Sequence, residues 1–166
     1  MEMLSVLYEV ESRLKKLVAK SDLHTMYIDY HKPYVSRVWF QYGSYRVYLH
    51  KIEPCKESSE ALFHPHPWKS IIRILKGSYE MGIGHSETDE IPTIDCTLEL
   101  YAPSIYEMVD RNGWHYVRPT VEPVYSLMIT GELNDRKGVN SPDHKFRTLT
   151  EEEKKDVINT VLSYYG

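Results

Sequence analysis

Two histidines separated by one residue, His64 and His66 in ALFHPHPWKSIIRILKGSYE, are the sharpest chemical signal in this chain. In an extended strand, residues i and i+2 point to one face, so the two imidazoles stand side by side. At that spacing a single strand offers two nitrogen ligands to one metal ion. Pro65 and Pro67 interleave with them and cannot donate to a ladder, which places the pair at a strand end or barrel mouth rather than in a central strand. An H-x-H pair also arises by chance on surfaces, so its weight depends on its surroundings. The chain holds eight histidines in all. His50, in YRVYLHKI, reads as a further ligand, a proton shuttle, a partner of a ligand or a hydrogen-bonded sheet residue. His24, His31, His85 and His144 fall in turn-like or polar stretches and read as solvent-facing.

Such groups need a scaffold. At 166 residues the chain makes one domain, 1–166, large enough to bury a core without staples. Hydrophobic residues make up 42% and charged residues 27%, which excludes a disordered or collagenous chain. The formal charge is −4 and no basic stripe appears, which argues against nucleic acid as a partner. Cys55 and Cys96 are the only cysteines, too few for a disulfide framework, and the N-terminus has neither signal-peptide nor membrane-span character. The expectation is a cytoplasmic protein with free thiols and no membrane partner.

Residues 3–20 carry Met3, Leu7, Val10, Leu14, Leu17 and Val18 at helical spacing. Thr150 and Glu153 form a capping box ahead of a second amphipathic run over 150–165. Between them, over 26–132, lie short segments rich in β-branched and aromatic residues: 26–30, 35–42, 45–52, 70–76, 79–83, 92–101, 104–109, 115–118 and 124–130. Gly43-Ser44, Gly77-Ser78 and Asn112-Gly113 are turn signals between them. The stretch 134–149 reads as a polar surface loop. Many short strands without strand–helix alternation predict an all-β barrel or double-sheet roll with two flanking helices.

The segment from His64 to Gly77 is H-x-H-x₃-S-x₆-G, and it resembles the first motif of the cupins, with Ser70 where that motif has an acidic residue. SIYEMVDRNGWHYV resembles their second motif, which ends in an aromatic residue and a ligand histidine, here Trp114 and His115; the motif's proline and asparagine are missing. Over about residues 45–132 the run YRVYLHKI, HPHPW, SIIRILKGSYE, WHYV and PVYSLMITG is similar to small single-domain bacterial and phage cupins. The resemblance implies a jelly-roll β-barrel with a metal in its mouth, held by His64, His66 and His115, and, by analogy, a homodimer. Thiol dioxygenases are cupin relatives with the same ligand count.

Three neutral imidazoles leave open positions on a divalent ion and keep its full charge, which suits anionic ligands or dioxygen at iron(II). Iron(II) is favoured, and zinc, manganese and nickel also fit. Tyr79 and His50 are the candidate proton-handling residues. Arg46, in phase with His50, is the candidate carboxylate clamp, with Tyr125 and Trp68 beside it. Arg73 is out of phase with Ser70 and should point away. Glu80 could replace the missing carboxylate, although a solvated face suits it better. The function read from this is an Fe(II)-type oxygenase acting on a small polar or anionic molecule; the alternative is a non-catalytic cupin that binds a small ligand or a protein partner.

Overall fold

The computed structural model describes residues 2–66, 68–88, 90–133 and 145–166. The solvent assignment of His144 and most of the expected loop at 134–149 lie outside them. In chain order the elements are α1 (Met3–Lys20), β1 (His24–Ile28), β2 (Val35–Tyr42), β3 (Tyr45–Ile52), a 3₁₀ turn (Ser58–Glu60), β4 (His64–Pro65), β5 (Trp68–Lys76), β6 (Ser78–His85), β7 (Cys96–Tyr101), β8 (Ile105–Met108), β9 (Gly113–Pro119), β10 (Val124–Leu133) and α2 (Glu151–Leu162). They form two antiparallel sheets, one ordered β1-β2-β3-β10-β5-β8 and the other β4-β9-β6-β7. The expected all-β double-sheet roll with flanking helices is therefore what the chain adopts. No helix among the described residues is long and apolar enough to cross a membrane.

Both faces of the larger sheet are covered. Its outer face carries Val38, Phe40, Val47, Leu49, Ile71, Leu127 and Ile129, which pack against Val6, Leu7, Val10 and Leu14 of α1 and Val157 and Val161 of α2. The capping box opens α2 as expected: Thr150 Oγ1 accepts from the Glu153 amide and the Glu153 carboxylate accepts from the Thr150 amide. Arg73 points to this face, as phase required, and pairs with Glu11 of α1. The inner face meets the smaller sheet in a second core of Ile52, Ile74, Tyr79, Met81 and Val124.

The chain changes sheets between β5 and β6 at Gly77, whose φ of +81° an L side chain rarely adopts. A Cβ there would also lie 3.0 Å from Val124 Cγ2. Asp110 and Gly113 close the turn into β9, the Gly113 amide donating to the Asp110 carbonyl at 3.1 Å. The second of these turns opens β9 two residues before His115. Residues 92–95, expected as strand, are irregular, and β7 begins only at Cys96.

Candidate metal centre

β4 is only two residues long and pairs antiparallel with β9, setting His64 directly opposite His115. His66 follows just past the strand end. The ring centroids are 4.9 Å apart for His64 and His66, 5.0 Å for His64 and His115, and 4.7 Å for His66 and His115. One candidate ligand atom from each lies within 4.8 Å of the others, and among the described residues this is the one such group of histidine, cysteine, aspartate or glutamate side chains. The group contains no carboxylate, consistent with serine at position 70.

Local bonding fixes how these rings present themselves. His64 Nδ1 lies 2.9 Å from the Leu62 carbonyl. A carbonyl can only accept, so Nδ1 carries the proton and Nε2 keeps a free lone pair. His66 Nε2 and His115 Nε2 face each other at 2.8 Å. Two nitrogens each about 2.05 Å from a common ion, at a right angle, would be about 2.9 Å apart. The donor set thus fits a divalent ion. The Nδ1 atoms of His66 and His115 are buried without a hydrogen-bond partner. Burial holds His64 down at about 4 against the help of the Leu62 carbonyl, with His31 and Arg37 adding to the effect. Burial first, then the neighbouring histidines, pushes His66 and His115 well below the ordinary imidazole range, with Arg37 also acting on His66. All three are neutral at pH 7, the form a metal requires.

The remaining candidates are distributed unevenly. Trp68 stands at the site, its ring edge-on to His66 at 6.0 Å between centroids. His50 is buried on the inner face but is not one of the converging ligands: its Nε2 accepts from Arg37 Nε at 2.9 Å, and its ring stacks on Tyr48 at 5.7 Å. Tyr79 is inside the roll, yet its hydroxyl is engaged with Tyr106 at 2.7 Å. It sits four residues along β6 from Ile83, the partner of His115, or about 13 Å by strand rise. Arg46 shares the phase of His50, as expected, but lies four residues away at the exposed end of β3, over the Trp39 ring at 5.2 Å.

Tyr125 is a correction: it belongs to the outer face, and its hydroxyl donates to Asp156 of α2 at 2.9 Å. A register shift between Tyr125 and Ser126 accompanies this placement. Glu80 is on the outside of the smaller sheet, held by Tyr116 and Arg118. His31 corrects the solvent assignment, being half-buried with its ring 6.4 Å from that of His64. His24 is exposed and stacks on Trp39, and His85 is exposed and pairs with Asp110.

Arg37 is the residue that sequence reasoning missed. It lies opposite His50 in the β2–β3 ladder, on the inner face. Its guanidinium lies over the Tyr48 ring at 4.9 Å. It is close enough to the histidines for its charge to disfavour protonation of His31, His50, His64 and His66. The available signal was an arginine interrupting VSRVWFQY in phase with Val35 and Trp39.

No protein-family model and no curated protein matches the chain. Among solved structures it is similar to hydroxypropylphosphonic acid epoxidase from S. wedmorenis, at TM-score 0.49 and 12% identity over 64% of this chain and 55% of that one. It is also similar to BH2720 from Bacillus halodurans, at TM-score 0.47 and 20% identity over 62% of this chain and 74% of that one. A third similarity is to a structure described among DMSP lyases RdDddP and RnDddQII, at TM-score 0.44 and 13% identity over 64% and 52%. The chain spans 55% of the length of that epoxidase structure and 56% of a structure of FeII HppE that it also matches.

Proposed function

We propose that this is a cupin-type metalloprotein whose three-histidine centre holds one divalent ion, iron(II) by preference, and oxidises a small polar or anionic molecule. The observation that carries the reading is the convergence of neutral His64, His66 and His115 at one end of the roll, with His64 locked in the tautomer that frees Nε2. A bound ion would supply Lewis acidity and, as iron(II), the electrons for reaction with dioxygen. The protein's share is to hold three lone pairs in place and to shield them. Trp68 covers one flank of His66, and His31 stands beside His64. An all-imidazole shell adds no negative charge, so the ion's double charge stays available to attract an anionic occupant. The homodimer expected by analogy belongs to this proposal and is tested by light scattering across a range of concentrations.

The test is anaerobic loading of the full chain with iron(II), zinc, manganese or nickel, followed by metal analysis and oxygen-uptake measurements with small hydroxy- and thio-acids. Near-stoichiometric uptake, lost in His66→Ala, supports the centre. Oxygen consumption confined to the iron form supports the oxidase or oxygenase chemistry. Failure of every metal to bind would refute the centre, and iron uptake without substrate-dependent oxygen consumption would refute the chemistry.

A further inference from the structure

Arg37 occupies an unusual setting. Its guanidinium cannot shed its proton at any ordinary pH. It lies half-buried on the inner face of the larger sheet, and among the described residues no carboxylate pairs with it. The described groups around it are neutral: His50 Nε2 accepts a hydrogen bond from its Nε at 2.9 Å, Tyr48 lies under its plane at 4.9 Å, and Tyr30 is close by. Tyr48 also stacks on His50, so one edge and one face of the guanidinium are fixed by a packed pair. A cation withdrawn from water without a counter-ion is costly, and the cost is relieved when an anion arrives. The N–H groups of the two terminal nitrogens make a planar fork, the shape that binds carboxylate and phosphate through two hydrogen bonds. A divalent ion at the histidines would add to the same positive field rather than cancel it.

We propose that Arg37 is the substrate-anchoring residue of this site, and that its occupant is a small molecule bearing a carboxylate or phosphate, gripped by the Arg37 fork while a second donor atom reaches the three-histidine centre. His50 is the positioning residue that presents the fork. The position of the second donor rests on the metal-centre reading; the anion clamp does not.

The experiment titrates the full chain, metal-free and zinc-loaded, with glycolate, inorganic phosphate and the uncharged isostere glycolamide at constant ionic strength, by calorimetry and by thermal midpoint. Wild type is expected to bind glycolate or phosphate, and the better of the two identifies the headgroup, while glycolamide binds at least tenfold more weakly. Arg37→Gln should keep its zinc stoichiometry and lose about tenfold or more in anion affinity, since a hydrogen bond to a charged partner is worth at least that factor. Arg37→Lys should recover only part, because a point charge lacks the fork. Arg37→Gln binding the anions as wild type does would overturn the clamp. So would a wild type whose thermal midpoint neither anion raises above the chloride control, a measurement that needs no variant to fold. If zinc fails to bind while the Arg37-dependent anion affinity persists, the metal reading fails and the clamp stands.

Discussion

The strand that delivers His115 is pinned to its neighbour by a ring lying on a glycine, and that contact can be measured. Gly82 of β6 is the ladder partner of Tyr116 in β9. A Cβ built on Gly82 would lie 2.0 Å from Tyr116 Cε1 and 2.6 Å from Cζ, where carbon atoms normally stay about 3.5–4.0 Å apart. The ring has little room to move. It is buried beside Phe63, Cys55 and Ala61, and its hydroxyl donates to Glu80 at 2.8 Å. Gly82→Ala should therefore incur about 1–3 kcal/mol for overpacking. Losing the charge-assisted bond to Glu80 adds a further contribution of about 1.5 kcal/mol or more if the hydroxyl is displaced. In a Tyr116→Ala background the obstacle is gone, and replacing a strand glycine should stabilise by about 0.5–1 kcal/mol. The two substitutions should thus couple by about 1.5–4 kcal/mol, and by more if the Glu80 bond is lost, in a double-mutant cycle read by urea unfolding. A Gly82→Ala cost that is the same in both backgrounds, or below about 0.5 kcal/mol in the native one, would show that the ring does not rest on this glycine.

Further outcomes follow from the same structure. His66→Ala or His115→Ala should lower metal affinity by at least about 100-fold while circular dichroism stays native, because even partners of ligands are worth about 10–100-fold; metal analysis after equilibrium dialysis decides this. Thr150→Ala removes the capping oxygen of α2 and should destabilise by about 1 kcal/mol in denaturant titration. Arg147 holds the Glu153 carboxyl down at about 2, so the contribution of this pair is present above the unfolded value of about 4.3 and is lost as pH falls from there towards 2. The thermal-midpoint gap between wild type and Glu153→Gln should close over that window, and a gap constant through it would refute the linkage.

Much of the scaffold was legible because its signals are local. The α1 stripe, the α2 capping box and the β2–β3 hairpin around Gly43-Ser44 each depend on residues near in sequence, and each forms where it was read. Facing was harder. The larger sheet is apolar on both sides, so alternation no longer says which side is the interior, and Tyr125 was assigned to the wrong one. β4 was too short to give a periodic signal, and it was legible only through its histidines. Arg37 could not be weighed from its own segment, because its meaning comes from a ladder partner, His50, thirteen residues away. Arg46 had the right phase, yet its distance along the strand put it at the rim.

The strand order has a consequence for the time course of synthesis. β10 lies between β3 and β5, so the middle of the larger sheet is the part of it that leaves the ribosome last. Until residues 124–133 emerge, β3 and β5 have no partner on the edges that each will pair with β10. β9, with His115, also emerges after His64 and His66, the two other candidate ligands. From residue 66 to residue 115 the nascent chain therefore carries two of the three candidate ligands beside an open sheet. β9 and β10 are consecutive strands, so the third candidate ligand and the strand that closes the larger sheet are made one directly after the other.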